Sequence, residues 1–388
     1  GNSLIGFPEK WGSTIEQEIE SLIHQHLNET KPSIKIELKN KIDEKIDSRY
    51  KNSLKTFGYQ INFDFKTVFS EIFREKGGFD ILIANPPYDV YQGDRKNEIN
   101  VIRKMPIYGI SEGHKLNAYK IFLAKSITLQ KCNGILCEIF QNSFLADSSA
   151  TKLRKYFLEN QRIIQIDSFP ERDNEKLRVF EEVKMSVCIM ISKKIKKQGN
   201  YNFNLNIWED KFMNSSRHIL LNNIEVLGLD IENASIPSLS QAELNTLKKI
   251  SANKRLISYA KCYEGEINLT FHKYLLNKNP SGSAPMIKGA AVQKWFIKEK
   301  MSQGEIEYLD SVAYLQNNKG KKSQHHKLKR IVMQGITGVD ENNRLKMTLI
   351  SPNVLCGNSV NYILITDKNL SYEFLLGVLN SHLLNWYF

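Results

Sequence analysis

The stretch FDILIANPPY, residues 79–88, is the segment of this 388-residue sequence on which the fold assignment rests. Residues 79–84 are apolar or β-prone on both faces, which predicts a buried strand of a parallel sheet. The two prolines cannot continue a ladder of hydrogen bonds, and Pro86 holds Asn85 in an extended conformation. The sequence therefore predicts a rigid polar loop at the carboxyl end of a central strand, where open α/β sheets bind their ligands.

This polar loop carries the groups that methylation of an exocyclic amine requires. The N6 nitrogen of adenine is a poor nucleophile, because its lone pair is delocalised into the ring. Two acceptors aimed at the amino protons would concentrate that lone pair on nitrogen, and their effect grows as the transition state gains positive charge. Asn85 can supply a side-chain oxygen, Pro86 a carbonyl oxygen and Tyr88 a stacking ring. A plain strand-to-turn junction remains the simpler alternative.

Composition and charge narrow the class of partner. Lys and Arg total 54 against 42 acidic residues, which gives a formal charge of +12 and indicates a polyanion or, less readily, an anionic membrane surface. No apolar run has the length of a membrane span. The five cysteines are scattered, without the spacing of a zinc site, and are typical of reduced core residues. We therefore expect a cytoplasmic protein without a bound metal.

The pattern of the first half of the chain predicts an α/β domain with a helical insertion. Residues 9–28, capped by Ser13, and residues 34–54 have helical periodicity, and we interpret them as a hairpin inserted over about residues 9–57. Beyond the polar loop, helical and strand patterns alternate, which predicts a parallel sheet. The predicted helices are 117–130 and 147–159, and the predicted strands are 135–140, 162–169 and 185–192, with a turn at 132–134.

A basic segment at residues 193–200 predicts the domain boundary, with domains at 1–195 and 201–388. The second domain has short β-like pieces, a helix at 240–251 and irregular loops, so we expect a mixed α+β fold. The segment 317–330 is rich in Lys and Arg and contains His325 and His326. It is either a solvated surface loop or a loop that contacts phosphates.

With these motifs in view, the chain resembles the adenine-N6 DNA methyltransferases of type II restriction–modification systems. Asn85-Pro86-Pro87-Tyr88 matches the catalytic motif of that family, and Phe140 to Leu145 resembles its next strand-end segment. Phe180, ahead of a strand, matches the aromatic residue that stacks on the flipped adenine. The resemblance implies part of a class I methyltransferase (Rossmann-like) sheet, with S-adenosylmethionine as the methyl donor.

The second half resembles the family's target-recognition domain, through residues 285–289, 330–334, 357–360 and 375–381. The resemblance and the charge together imply double-stranded DNA as the partner. The basic residues that we expect to contact DNA are Lys288, Lys294, Lys319, Lys321, Lys322, Lys327 and Arg330.

One departure from the family concerns the cofactor. The Gly-rich loop and the following acidic residue that hold S-adenosylmethionine in the family have no counterpart here. Residues 1–4 resemble the end of the family's third strand, so the resemblance places Asn2 and Ser3 beside the cofactor. We expect a C-terminal part of a larger enzyme, inactive alone, whose partner is the missing N-terminal half.

Two other functions remain open from the sequence. The chain could be a DNA-binding specificity module with no catalytic activity of its own. Alternatively, it could be a methyltransferase of the same motif that acts on RNA or protein, although the long basic second domain argues against a protein substrate.

Overall fold

The computed structural model of the chain describes residues 3–7, 14–113, 115–197, 199–277, 283–298, 307–336 and 344–387. The chain forms two compact units, Gly1–Lys248 and Lys249–Phe388. The sequence placed the boundary earlier, at residues 195–201. The difference arises because two strands beyond the basic segment pair with the first sheet and so belong to the first unit.

The first unit is an α/β unit, and the predicted fold class is confirmed. Its helices are α1 (Thr14–Asn28), α2 (Pro32–Phe57), α3 (Phe65–Val68), α4 (Ser70–Lys76), α5 (Lys96–Lys104), α6 (Ala118–Leu129), α7 (Thr151–Asn160) and α8 (Asn223–Leu229), followed by α9 (Gln241–Ser251), which crosses into the second unit. Its strands are β1 (Phe79–Ala84), β2 (Gln130–Gln141), β3 (Gln161–Phe169), β4 (Val187–Lys194), β5 (Asn202–Trp208) and β6 (Ser216–Asn222).

These strands form one sheet in the order β1-β2-β4-β3-β5-β6. β1 is parallel to β2, whereas β4 lies antiparallel between β2 and β3. The expectation of a wholly parallel sheet is therefore wrong for β4. The physical reason is the connection between the two strands. Residues 170–186, all of which the structure describes, contain no α-helix, so the chain returns beside β3 in the opposite direction.

The predicted turn at residues 132–134 lies inside β2, as an irregularity in its pairing with β1. Phe79 pairs with Gln130 but Ile81 with Ile135, so the residues between bulge out of the ladder. Asn133 adopts φ 64°, and a Cβ at Gly134 would lie 2.8 Å from the Phe79 carbonyl oxygen. A glycine is therefore required where the bulge of β2 lies against the backbone of β1.

The two faces of this sheet differ in burial. One face packs its apolar side chains, such as Leu136, Phe140 and Phe203, into a core that includes residues of α6 and α7. On the other face, Ile81 and Ile83 of β1 are 65% and 79% exposed. The prediction that β1 is buried on both faces is therefore wrong for Ile81 and Ile83. Aromatic rings of α3 and α4 pack against Phe79 at the start of the strand and leave these two side chains exposed.

The register shows how far the open face extends. Ile83 lies opposite Cys137, Cys137 opposite Ile191, and Ile191 opposite Gln165. The row continues through Asn204 and Leu220. The open face is thus apolar from β1 to β4 and mainly polar from β3 to β6, where the Asn206 amide and the Trp208 indole donate to Asp167. An apolar covering layer is needed only over β1, β2 and β4.

The predicted helical insertion is present as α1 and α2. α2 ends at Gly58, which has φ 76° and whose N–H donates to the Leu54 carbonyl, the usual left-handed glycine cap. Leu38 and Ile42 form part of its buried stripe, while Lys41 and Glu37 pair on the exposed side. Ser13, the predicted cap of the first helix, lies outside the described residues. Among the helices that are described, none is long and apolar enough to span a membrane.

Glu138 is a buried carboxyl group in the middle of β2. It accepts a hydrogen bond from the Ser126 hydroxyl, and among the described residues its Oε2 has no partner. Burial raises the pKa of Glu138 to about 7. Stability from this group is fully present below the unfolded pKa near 4.5 and is lost as the pH rises through about 7.

We expect Glu138→Gln to remove most of that pH dependence. At pH 8 the variant should be more stable than wild type by about 2–3 kcal/mol, since the amide never has to ionise in the core. At pH 5 the two proteins should differ little. Urea unfolding at both pH values measures this, and parallel stability changes in the two proteins would show that Glu138 is not the titrating group.

The described part of the second unit contains two four-stranded sheets. Its strands are β7 (Ala260–Glu264), β8 (Leu276–Asn277), β9 (Ala284–Ile287), β10 (Glu307–Leu309), β11 (Arg330–Gln334), β12 (Met347–Ile350), β13 (Leu355–Cys356) and β14 (Val360–Ile365). Its helices are α10 (Leu269–His272), α11 (Ser311–Asn317), α12 (Tyr372–Leu379) and α13 (His382–Tyr387). The sheet orders are β13-β9-β10-β8 and β12-β11-β14-β7, which agrees with the mixed α+β fold expected.

Candidate functional site

The loop after β1 presents Asn85 at the carboxyl edge of the sheet. Pro86 is buried, whereas Asn85 is exposed. The Tyr88 hydroxyl donates to Asn85 Oδ1 at 3.3 Å, which orients the amide. Partial burial raises the pKa of Tyr88 to about 12, so this hydroxyl stays protonated and remains a donor at neutral pH. One lone pair of Asn85 Oδ1 is left for a second donor.

The Pro86 carbonyl oxygen is the second acceptor of the loop. In the part of the chain that the structure describes, no group donates a hydrogen bond to it. The ring of Pro86 fixes its φ angle, and Pro87, which follows it, restricts the ψ angle that orients the Pro86 carbonyl. Since the Pro86 side chain is also buried, the carbonyl has little freedom to move. The loop thus offers two acceptors on adjacent residues, in a rigid setting.

Neighbouring strand ends hold this loop in place. Gln141, the last residue of β2, donates from Nε2 to the Tyr88 carbonyl at 3.1 Å. The Asn142 side chain accepts from the Ser168 hydroxyl at 2.9 Å, and its backbone N–H donates to the Ser186 carbonyl. These bonds join the carboxyl ends of β1, β2 and β3 into one polar edge, which is where the sequence predicted the site.

The structure places Phe180 next to Tyr88, the two residues to which the resemblance assigns base stacking. Their ring centroids lie 5.6 Å apart and their planes are inclined by 57°. A base held between two parallel rings needs planes roughly 7 Å apart, twice the ~3.5 Å contact of stacked carbons. The two rings therefore touch, and one of them must turn before a base can lie between them.

Arg178 fixes the loop that carries Phe180. Its buried guanidinium donates to the Phe180 carbonyl at 3.0 Å, to the Glu181 carbonyl and to the Arg172 carbonyl at 3.2 Å. A lone arginine in a polar loop normally indicates surface charge, so the pattern held no signal for this role. Arg178 positions the backbone on both sides of the aromatic ring.

The residues expected beside the cofactor are only partly described. Asn2 lies outside the described residues. Ser3 and Leu4 form a turn rather than the end of a strand, and the Leu4 carbonyl accepts from the buried Tyr108 hydroxyl. This contact anchors residues 3–4 within the first unit. It neither supports nor opposes a role in cofactor binding.

In the second unit the segment 317–330 is anchored and also highly charged. His326 is buried and bonds the Ser323 carbonyl, while His325 bonds the Tyr362 hydroxyl at 2.9 Å. Both histidines therefore have structural partners. The lysines that the sequence predicted as phosphate contacts are all exposed, and in the described structure none forms an ion pair: Lys319, Lys321, Lys322 and Lys327.

Arg330 and Lys288 differ from that expectation. Arg330 is fully buried, and its Nη1 lies 3.0 Å from both carboxylate oxygens of Glu266. It cannot face a phosphate, because its charge is neutralised inside the core, and we leave it out of the DNA-contact set. Lys288 is half-buried and pairs with Glu307 at 2.8 Å, so its charge is already compensated. Lys294 is partly exposed.

Two known protein families match the chain, one in its first half and one in its second half. Residues 10–174 match the Eco57I restriction-modification methylase family, and residues 284–388 match the TaqI-like C-terminal specificity domain. The loop Asn85–Tyr88 falls within the first match, and the segment 317–330 falls within the second. Phe180 lies just beyond the first.

A curated relative and two solved structures also resemble the chain. It is 26% identical over 150 residues to the type II restriction enzyme and methyltransferase RM.Eco57I of Escherichia coli, a match that covers 36% of this chain and 14% of the relative. The type IIG restriction endonuclease BpuSI shares 12% identity, with TM-score 0.38, over 78% of this chain and 43% of its own. The type IIL restriction-modification enzyme MmeI, in complex with DNA, shares 8% identity, with TM-score 0.46, over 86% and 48%. The chain thus spans less than half the length of each of these three proteins.

Proposed function

We propose that this chain is the catalytic-motif half and target-recognition domain of a DNA adenine-N6 methyltransferase of a restriction–modification system. The observation that carries the proposal is the rigid pair of acceptors, Asn85 Oδ1 and the Pro86 carbonyl, at the carboxyl edge of the sheet. The match of residues 10–174 to a restriction-modification methylase family supports it.

The chemistry follows from where these acceptors lie. A flipped adenine would donate its two amino protons to Asn85 and Pro86, which raises electron density on N6 as the methyl group arrives. Tyr88 would stack on one face of the base and Phe180 on the other, after its ring turns away from Tyr88. Arg178 would keep the Phe180 backbone fixed during that rotation, because it is bonded to the carbonyl and not to the ring.

We propose that a separate half binds S-adenosylmethionine and covers the open face of the first sheet. β1 is an edge strand, with its second side unpaired among the described strands, and Ile81 and Ile83 are exposed on it. Parallel strands are normally covered on both faces, and an exposed apolar edge pairs readily with another strand. A cofactor-binding half placed there would bring the methyl donor to the edge that holds Asn85.

The first test of this proposal is cofactor binding by the chain alone. We expect no measurable affinity for S-adenosylmethionine in a calorimetric titration, since the proposal assigns the Gly-rich loop that approaches the methionine group to the separate half. A micromolar Kd for the isolated chain would overturn the division into two halves.

The second test is complementation at the open face. Mixing the chain with a cofactor-binding half should restore methyl transfer, and Ile81→Lys with Ile83→Lys should abolish it. The thermal stability of the isolated chain should stay near that of wild type, because these side chains are already in water. A matched pair on the polar part of the same face, Asn204→Lys with Leu220→Lys, should complement normally.

The second unit would bind the DNA. From Lys249 onwards there are 19 Lys and Arg residues against 10 Asp and Glu residues, so +9 of the +12 formal charge belongs to it. The exposed, anchored lysines of the segment 317–330 would contact phosphates. If the chain binds DNA but the complemented enzyme never methylates it, the chain is a specificity module instead.

A further inference from the structure

A short hairpin in the second unit presents two aromatic rings to solvent. Val292 and Ile297 form an antiparallel bridge, and the Gln293 N–H donates to the Phe296 carbonyl at 3.0 Å. At the tip of the turn, Trp295 is 55% exposed and Phe296 is 56% exposed. Large aromatic side chains bury much of their area when they can, so two adjacent exposed rings need an explanation.

The base of the hairpin is rigid even though its tip is exposed. Val292 is buried in a core cluster with Val332 and Tyr362, and its carbonyl accepts from Gln334 Nε2 at 3.0 Å. The Trp295 N–H donates to the Met347 carbonyl at 3.0 Å. The backbone of the tip is therefore tied to β12, and the rings are held in place rather than left on a loose loop.

Trp295 also has a strained backbone. Its φ is 79°, in the left-handed region that bulky residues other than glycine rarely adopt. Asn or Gly would fit this conformation with less strain, yet the position holds the largest side chain. Strain of this kind is kept where the side chain itself is needed, which indicates a function for the indole ring.

The surroundings of the tip are basic. Lys294 and Lys298 flank the two rings, and the second unit as a whole carries a formal charge of +9. Aromatic rings interleaved with lysines suit nucleic acid, because the rings stack on bases while the ammonium groups contact phosphates. Another protein surface would need no such excess of positive charge.

We propose that the Trp295–Phe296 tip inserts against the bases of duplex DNA, with Trp295 stacking on a base at the point of insertion. This rests on the proposed function, since it requires that the second unit binds DNA. It adds a base-contacting element, separate from the Tyr88–Phe180 pair, that would unstack or kink the duplex.

Trp295→Asn is the variant that tests this proposal. It removes the ring and keeps a residue suited to φ 79°, so its thermal midpoint should equal or exceed that of wild type. Its affinity for a fluorescent 30-base-pair duplex should fall about 5- to 150-fold, the loss expected for one aromatic–base stack. The slope of log Kd against log salt should stay unchanged, because the lysines that neutralise phosphates are all still present.

Two other variants calibrate the result. Changing Lys319, Lys321, Lys322 and Lys327 to Gln should flatten the salt slope by about one for each lysine that neutralises a phosphate in the wild type. Phe271→Ala removes a ring on α10 that is even more exposed than Trp295, and it should leave the affinity near wild type. Wild type should also prefer a duplex with a two-nucleotide bulge over a perfect duplex, and Trp295→Asn should lose that preference.

The outcomes distinguish failure of the base-insertion role of Trp295 from failure of the proposed DNA binding by the second unit. If wild type binds DNA and Trp295→Asn keeps the same affinity and the same preference for the bulge, the base-insertion role of Trp295 is overturned. The proposed DNA binding by the second unit then still stands. A fall in affinity that comes with a changed salt slope, or with a change in oligomeric state on gel filtration, also overturns the base-insertion role. If wild type does not bind duplex DNA, the proposed function of the second unit fails together with the inference.

Discussion

Asn85→Ala should reduce methyl transfer by the complete enzyme, meaning this chain with the proposed cofactor-binding half, by roughly 30- to 1000-fold. The loss corresponds to about 2–4 kcal/mol, as for removal of one preorganised donor from an oxyanion site. The acceptor acts mainly as N6 gains positive charge, so kcat should fall while DNA affinity stays nearly constant. Single-turnover kinetics at saturating DNA and S-adenosylmethionine measure the effect directly.

Two further variants make this result specific to the acceptor. Asn85→Asp keeps an oxygen that can accept from the amino group and should retain more activity than Asn85→Ala. Asn52→Ala removes an exposed asparagine from α2 and should behave as wild type. If Asn85→Ala keeps a tenth or more of wild-type turnover, Asn85 is not the acceptor.

Arg154→Met should destabilise the first unit by about 3–5 kcal/mol, the largest stability effect that we expect. Arg154 is fully buried on α7 and donates to the Phe144 and Asp147 carbonyls, at 2.7 and 2.8 Å. It also donates to the Asn233 and Ala234 carbonyls beyond α8, at 2.6 and 3.1 Å. Methionine fills similar volume but leaves these buried acceptors without a donor.

Urea unfolding of the chain measures this effect, in the transition that belongs to the first unit. Arg154→Lys should also be strongly destabilised, since one ammonium cannot reproduce the planar set of donors that reaches four carbonyls. Arg162→Met, at an exposed arginine on β3, is the control and should change stability by less than about 1 kcal/mol. A loss of that size or smaller in Arg154→Met would show that these carbonyls find other donors.

The elements closest to the motif were predictable because their signals are local. The apolar run and the prolines after it define the bounds of β1, and the helical pattern gives the start of α6. Asp147 is recognisable in the sequence as a capping residue, and its carboxylate accepts from the Ser149 N–H. The exposure of Ile81 and Ile83 could not be predicted. An apolar strand pattern predicts a buried strand whether or not the layer that would cover it is present. Burial depends on contacts that sequence pattern does not contain.

The sequence did contain a signal that the first unit continues past residue 200, but the linker-like composition of residues 193–200 outweighed it. Lysines and a glycine at residues 193–200 are typical of a linker, yet residues 202–207 alternate Asn with Phe, Leu and Ile. That period of two indicates a half-buried strand, and β5 indeed pairs with β3. Arg154 and Arg330 gave no such signal, since a buried arginine is recognised only from the carbonyls or carboxylate around it.

The most direct test of the central claim is nucleoside analysis of DNA incubated with the complete enzyme and S-adenosylmethionine carrying a deuterated methyl group. We predict that mass spectrometry finds the labelled methyl on N6 of adenine in duplex DNA, and that this product is lost with Asn85→Ala and absent with the isolated chain. Label in RNA, in protein or on cytosine, or no transfer to DNA by the complete enzyme, would contradict an adenine-N6 DNA methyltransferase.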